Sequence, residues 1–172
     1  KDIAKSKSIL DRNVNYIIPI YQRPYSWKEE QIEKFISDIF KSFWGNNKTT
    51  PAEPMFIGTM QLSKINKNNE QDIIDGQQRI TTILILIKVL QLQHQNCKEL
   101  NEINLNWLST EVNNGKQQVN LEALINSHEL ESAFKLNRYL ENAIVINNTI
   151  KNITKTRSET HPDFNIDRFV KH

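Results

Sequence analysis

The chain has 172 residues, 38% of them hydrophobic and 24% charged, with the apolar residues clustered. That suits one domain, or one domain and part of a second, and excludes a disordered chain. A net charge of +2 leaves no strong field for nucleic acid or an acidic membrane, though a local basic patch stays open.

The single cysteine, Cys97, excludes an intrachain disulfide and fits a reducing cytosol. No apolar run is long enough for a bilayer and no signal-peptide pattern opens the chain, so a cytoplasmic protein without a membrane partner is expected. The start at Lys1 and the helix-like end "DFNIDRFVKH" read as a fragment of a longer protein. The sequons at Asn47 and Asn152 read as chance in an Asn-, Lys- and Thr-rich chain.

Residues 2–12 suggest a short helix. "YIIPIYQRPYSW" follows, where Tyr16, Ile17, Ile18 and Ile20 favour a strand. Pro19 and Pro24 make it an edge strand or one that breaks early. Ser26 and Glu29 form an S-x-x-E capping box for an amphipathic helix. Its apolar face is Ile32, Phe35, Ile36, Ile39, Phe40 and Phe43, and Gly45 closes it.

"GNNKTTPAEP" reads as a loop and "MFIGTMQLS" as a strand, with Gly58 allowing a bulge or a close backbone approach. "INKNNEQ" is a hairpin turn and "DIIDG" a second strand. From Gln77 to Gln95 apolar residues lie almost all round a helix, which predicts a central, buried one. Residues 98–172 read as mainly helical, with patches at "ELNEINLNWLS" and "HELESAFKLNRYLENAIVI", while "QQVNLEALI" fits either a strand or a helix. The fold class is therefore mixed α/β, with a core over 1–97 and a helical extension over 98–172.

The junction "DIIDGQQRITT" carries more polar groups than a turn needs. A helix beginning near Gln77 offers free backbone N–H groups and the positive end of its dipole, which suits phosphate. Gly76 lets a phosphate approach the backbone, and Arg79 can fork onto its oxygens. Asp75 can hold a metal, orient a water or bind a ribose hydroxyl. Thr81 and Thr82 add hydroxyls. The same residues also fit a plain turn with Asp75 as helix cap, and no P-loop pattern is present.

A second cluster, Gln22, Arg23, Tyr25 and Trp27, precedes the capped helix. Arg23 and Gln22 can contact phosphate or base. Tyr25 or Trp27 can stack on a base, although Trp27 beside a helix start reads mainly as structural.

"IPIYQRPYSW", "FIGTMQLS" and "IIDGQQRITT", in this order and spacing, resemble the N-terminal domain of GmrSD-type restriction systems, a ParB-like family marked by a DGQQR motif. The resemblance rests on residues 5–97. It implies a ParB/sulfiredoxin-like core that binds and hydrolyses a nucleoside triphosphate with Mg²⁺, in bacterial defence against phage DNA carrying modifications. It also implies an HNH-type nuclease domain in the same or a partner chain, and a homo-oligomer is among the states allowed. Carried onto this chain, Asp75, Gly76, Gln77, Gln78 and Arg79 form the nucleotide site, with Gln22 and Arg23 flanking it and Thr81 nearby. Arg79 would neutralise developing charge, and Asp75 or Gln78 would position water.

The alternative is a module that senses DNA without nucleotide turnover. A nuclease within this chain is not expected. Asp72 and Asp75, three apart on a strand, would face opposite ways, and His94, His128, His161 and His172 are scattered. Cys97 has no metal-ligand spacing around it.

Overall fold

The computed structural model describes residues 14–44, 56–130, 137–160 and 166–170. The helix expected over 2–12, the loop over 45–54 and the helix stop at Gly45 lie outside the described residues.

The architecture is mixed α/β, as expected. Four strands among the described residues form one sheet in the order β2-β3-β1-β4. They are β1 (Asn15–Ile18), β2 (Gln61–Leu62), β3 (Glu70–Asp75) and β4 (Leu108–Thr110). β1 runs parallel to both β3 and β4, and β2 is antiparallel to β3.

β1 is thus a central strand, not an edge one. It escapes the proline penalty by ending at Ile18, one residue before Pro19, so its ladder never needs the missing N–H. The strand expected over "MFIGTMQLS" shrinks to Gln61–Leu62. The hairpin turn holds as expected. The Asn66 side-chain oxygen accepts from the N–H groups of Asn68 and Glu70, and Asn69 sits at φ 62°.

Helix α1 (Glu29–Trp44) buries Ile32, Phe35, Ile36 and Phe40, the face its spacing predicts. Its cap differs from the expected one. The first intrahelical bond runs from the Ile32 N–H to the Lys28 carbonyl, and Gln31 reaches back to accept from the Lys28 N–H at 2.9 Å. Lys28 is the cap residue, and Gln31 supplies the return half of a capping box. Ser26 is left free for another partner.

Helix α2 (Gln77–Gln93) is buried on nearly every side, with Ile80, Leu84, Ile85 and Val89 in the core. Lys88, also mostly buried, donates from its ammonium to the Ile125 carbonyl at 2.7 Å. After α2 come the short α3 (Lys98–Asn101), a 3-10 turn at Leu105–Trp107 and β4. The patch read as helical over 99–109 thus contains a strand beginning at Leu108. "QQVNLEALI" resolves as a helix, α4 (Lys116–Ile125), followed by the long α5 (Arg138–Thr160) and α6 (Ile166–Val170). Helices α1, α2 and α4 all pack against α5. No helix among the described residues is long and apolar enough to cross a membrane.

Candidate functional site

Parallel pairing of β1 with β3, with Ile17 opposite Asp72, brings the carboxyl ends of both strands to one edge of the sheet. After β1 the chain turns, the Gln22 N–H donating to the Pro19 carbonyl at 3.0 Å, and continues to Lys28 without regular structure. After β3 it turns at Gly76 into α2. Ligand sites of open α/β sheets gather at such carboxyl ends.

Three glutamine side chains tie these two connections together. Gln22 donates from Nε2 to the Ile74 carbonyl at 2.8 Å. Gln77 donates to the Arg23 carbonyl at 3.3 Å. Gln78 donates to the Pro24 carbonyl at 3.1 Å and accepts from the Ser26 N–H at 2.9 Å. Every partner is a backbone group. Both ends of the Gln78 amide are committed, and Gln78 is only 7% exposed. Sequence reasoning expected Gln78 among the catalytic groups; its observed contacts hold the loop.

Gly76 occupies the cap position of α2 at φ 96°, ψ 2°, and no side chain caps the helix. Asp75 is therefore not the cap. It lies 3.9 Å from Nη2 of Arg79, a long, exposed pair of small energetic weight. The firmer hold on Arg79 is the Thr59 carbonyl, which accepts from Nη2. The guanidinium also lies against Gly58, which sits at φ 91°; a Cβ there would overlap Nη1. The close approach foreseen at Gly58 is thus the approach of Arg79.

A cleft of about 470 Å³ opens here, lined by Gln22, Arg23, Trp27 and the whole run Asp75, Gly76, Gln77, Gln78, Arg79. The expected residues converge, apart from Thr81. That hydroxyl is 1% exposed and lies off the cleft lining. Thr82 is equally buried; its Oγ1 donates to the Gln78 carbonyl at 2.8 Å, so the Tyr25 hydroxyl donates to it at 2.8 Å. Tyr25 stacks on Tyr139, with centroids 5.1 Å apart, behind the site and not in it. Burial pushes the Tyr25 phenol up to about 12, its hydrogen bonds offsetting only part of that.

The cleft therefore presents helix N–H groups, Gly76, Arg23 and Arg79, against one carboxylate, Asp75. Arg23 has no ion-pair partner among the described residues. This balance attracts anions, phosphate above all. No three of His, Cys, Asp and Glu come together among the described residues. A single carboxylate does fit Mg²⁺ arriving on phosphate oxygens, since that ion keeps much of its shell as water and substrate. Trp27, read from sequence as mainly structural, also lines the opening. The available signal was its position four residues after Arg23 on a proline-bearing loop.

Fold and cleft define a mixed α/β domain with an anion-attracting strand–glycine–helix junction. The chain belongs to the family described as the N-terminal domain of the GmrSD restriction endonuclease, whose match spans residues 6–171. The relationship thus continues through the helical part, beyond the resemblance over residues 5–97 and its last motif, which ends at Thr82. No curated protein matches the chain significantly.

Proposed function

We propose that this chain is the nucleotide-binding, NTP-hydrolysing regulatory domain of a restriction system that acts on modified DNA. One observation carries the reading: Gly76, the uncapped start of α2, Arg23 and Arg79 share one cleft at the carboxyl ends of two parallel strands. The volume suits a nucleotide, since small-molecule sites run from about 300 to 1,000 Å³. Triphosphate oxygens would take the N–H groups of Gln77, Gln78 and Arg79 and the two guanidinium groups. Asp75 would hold Mg²⁺ arriving with the triphosphate, and the ion would supply charge neutralisation.

In hydrolysis Arg79 would stabilise charge on the transferring phosphoryl group, and Asp75 would orient the attacking water. The three glutamines hold the walls in place while this happens. Family membership supports the wider context, in which nucleotide state controls DNA cleavage by an HNH-type nuclease domain in the same or a partner chain. The ParB-like description of the core belongs to the same proposal, supported by the three motifs.

The test is calorimetry with Mg²⁺ and ATP, GTP, CTP or UTP on the wild type and on Arg79→Ala and Arg23→Ala, each confirmed folded. The expected result is triphosphate binding that Arg79→Ala abolishes and Arg23→Ala weakens. A folded wild type that binds no triphosphate, yet binds DNA with a steep salt dependence, would replace this reading with a DNA sensor lacking turnover.

A further inference from the structure

We propose that Trp27 is the wall that receives the base of the bound nucleotide, so that it separates nucleotides from inorganic polyphosphate. The inference rests on the nucleotide reading above and extends it to a residue that reading does not use.

Among the residues lining the cleft, Trp27 is the one aromatic side chain. The other candidate for stacking, Tyr25, is 6% exposed and already stacked on Tyr139. Trp27 is half-buried and held from two directions. Its ring meets Phe35 edge to face, with centroids 5.3 Å apart and planes at 71°. Its carbonyl accepts from Nδ2 of Asn142, on α5, at 2.9 Å. On the N-terminal side, Gln78 fixes the Ser26 N–H and the Pro24 carbonyl. The backbone carrying the indole is thus fixed before any ligand arrives, and the ring itself rests against Phe35, which lowers the ordering cost of binding.

Apart from Gly76, the remaining lining residues are polar or charged. A cleft of about 470 Å³ with phosphate donors at one group of residues and a fixed aromatic at another matches a ligand with both an anionic and a flat apolar part. Phosphate alone uses only the first. Stacking tolerates every base, because each has a π-face. Purines offer more area than pyrimidines, so a modest purine preference follows.

The experiment compares ATP, CTP and inorganic tripolyphosphate, each with Mg²⁺, on the wild type, Trp27→Leu and Trp27→Phe. A protein carrying Trp44→Phe and Trp107→Phe leaves Trp27 as the only indole for fluorescence. The expected result is an affinity for ATP about tenfold weaker in Trp27→Leu and less affected in Trp27→Phe. Tripolyphosphate affinity should stay the same in all three. The Trp27 emission should respond to ATP and CTP but not to tripolyphosphate. A folded Trp27→Leu that binds ATP as tightly as the wild type, or that loses ATP and tripolyphosphate equally, overturns the base-wall role and leaves the phosphate site standing. Failure of the wild type to bind either class overturns the nucleotide reading, and the base wall with it.

Discussion

The backbone of Gly58 is the surface on which the Arg79 guanidinium rests. A Cβ at position 58 would occupy the place of Nη1, and φ at 91° is unfavourable to any side chain. The contact joins two motifs twenty-one residues apart in sequence. The atom that would have to yield is the tip of a flexible side chain. Gly58→Ala should therefore displace Arg79 more than it disturbs the core. The expected cost in stability is about 1–2 kcal/mol from the backbone strain. Triphosphate affinity should fall together with Arg79→Ala, and the double variant should bind no worse than Arg79→Ala alone. Calorimetry on the three proteins checks this; additive losses would place Gly58 outside the action of Arg79.

Gln78 offers a sharper distinction. Gln78→Leu removes two hydrogen bonds to loop backbone and strands the Ser26 N–H. About 2 kcal/mol of stability should be lost, read by urea unfolding. If Gln78 acted on water instead, turnover at saturating nucleotide would collapse while the unfolding midpoint stayed put.

Tyr25 and Tyr139 set an alkaline limit. Burial raises the phenol of each, that of Tyr25 to about 12. In the unfolded chain both ionise near pH 10. Between that value and their folded values the native state holds more protons than the unfolded one, so stability falls as pH rises. Below pH 10 the contribution is fully present. A phenolate absorbance titration should show these two groups ionising only as the fold gives way, and Tyr139→Phe should soften the decline above pH 10.

Lys88 works in the opposite sense. Its pKa is lowered by burial, so the native state binds its proton less readily than the unfolded chain. The penalty on the charged form applies at neutral pH and is relieved as pH climbs towards 10.5. Its ammonium nevertheless holds the last turn of α4 through the Ile125 carbonyl. Lys88→Met should keep the apolar stem packing, lose about 1–2 kcal/mol at pH 7, and abolish that relief. Urea unfolding at pH 7 and 9.5 measures both.

Features governed by local pattern were legible in the sequence. Helix α2 announces itself because apolar residues surround it, and α1 because one face repeats at helical spacing. The junction Asp75–Arg79 stood out because its polar residues are contiguous. What stayed hidden depends on contacts across the chain. β4 is three residues long, too short to show alternation after a helix-like stretch, and exists because β1 pairs with it. Ser26 looked like a cap, yet its N–H is drawn to Gln78, fifty-two residues away. Trp27 reads the same whether it fills a core or lines a cleft, and in the fold it does both, packing on Phe35 while lining the opening.

The glutamine ties have a consequence for how freely this opening can be remodelled. Gln22, Gln77 and Gln78 grip the carbonyls of Ile74, Arg23 and Pro24 and the amide of Ser26, atoms that the neighbouring side chains do not define. Any residue supplies such a carbonyl, and any but proline supplies such an amide. The anchoring is therefore blind to what stands at positions 23, 24 and 74, and nearly so at 26. New side chains can be presented to a ligand there while the path of the loop stays the same, much as a loom keeps its tension when the coloured thread is exchanged.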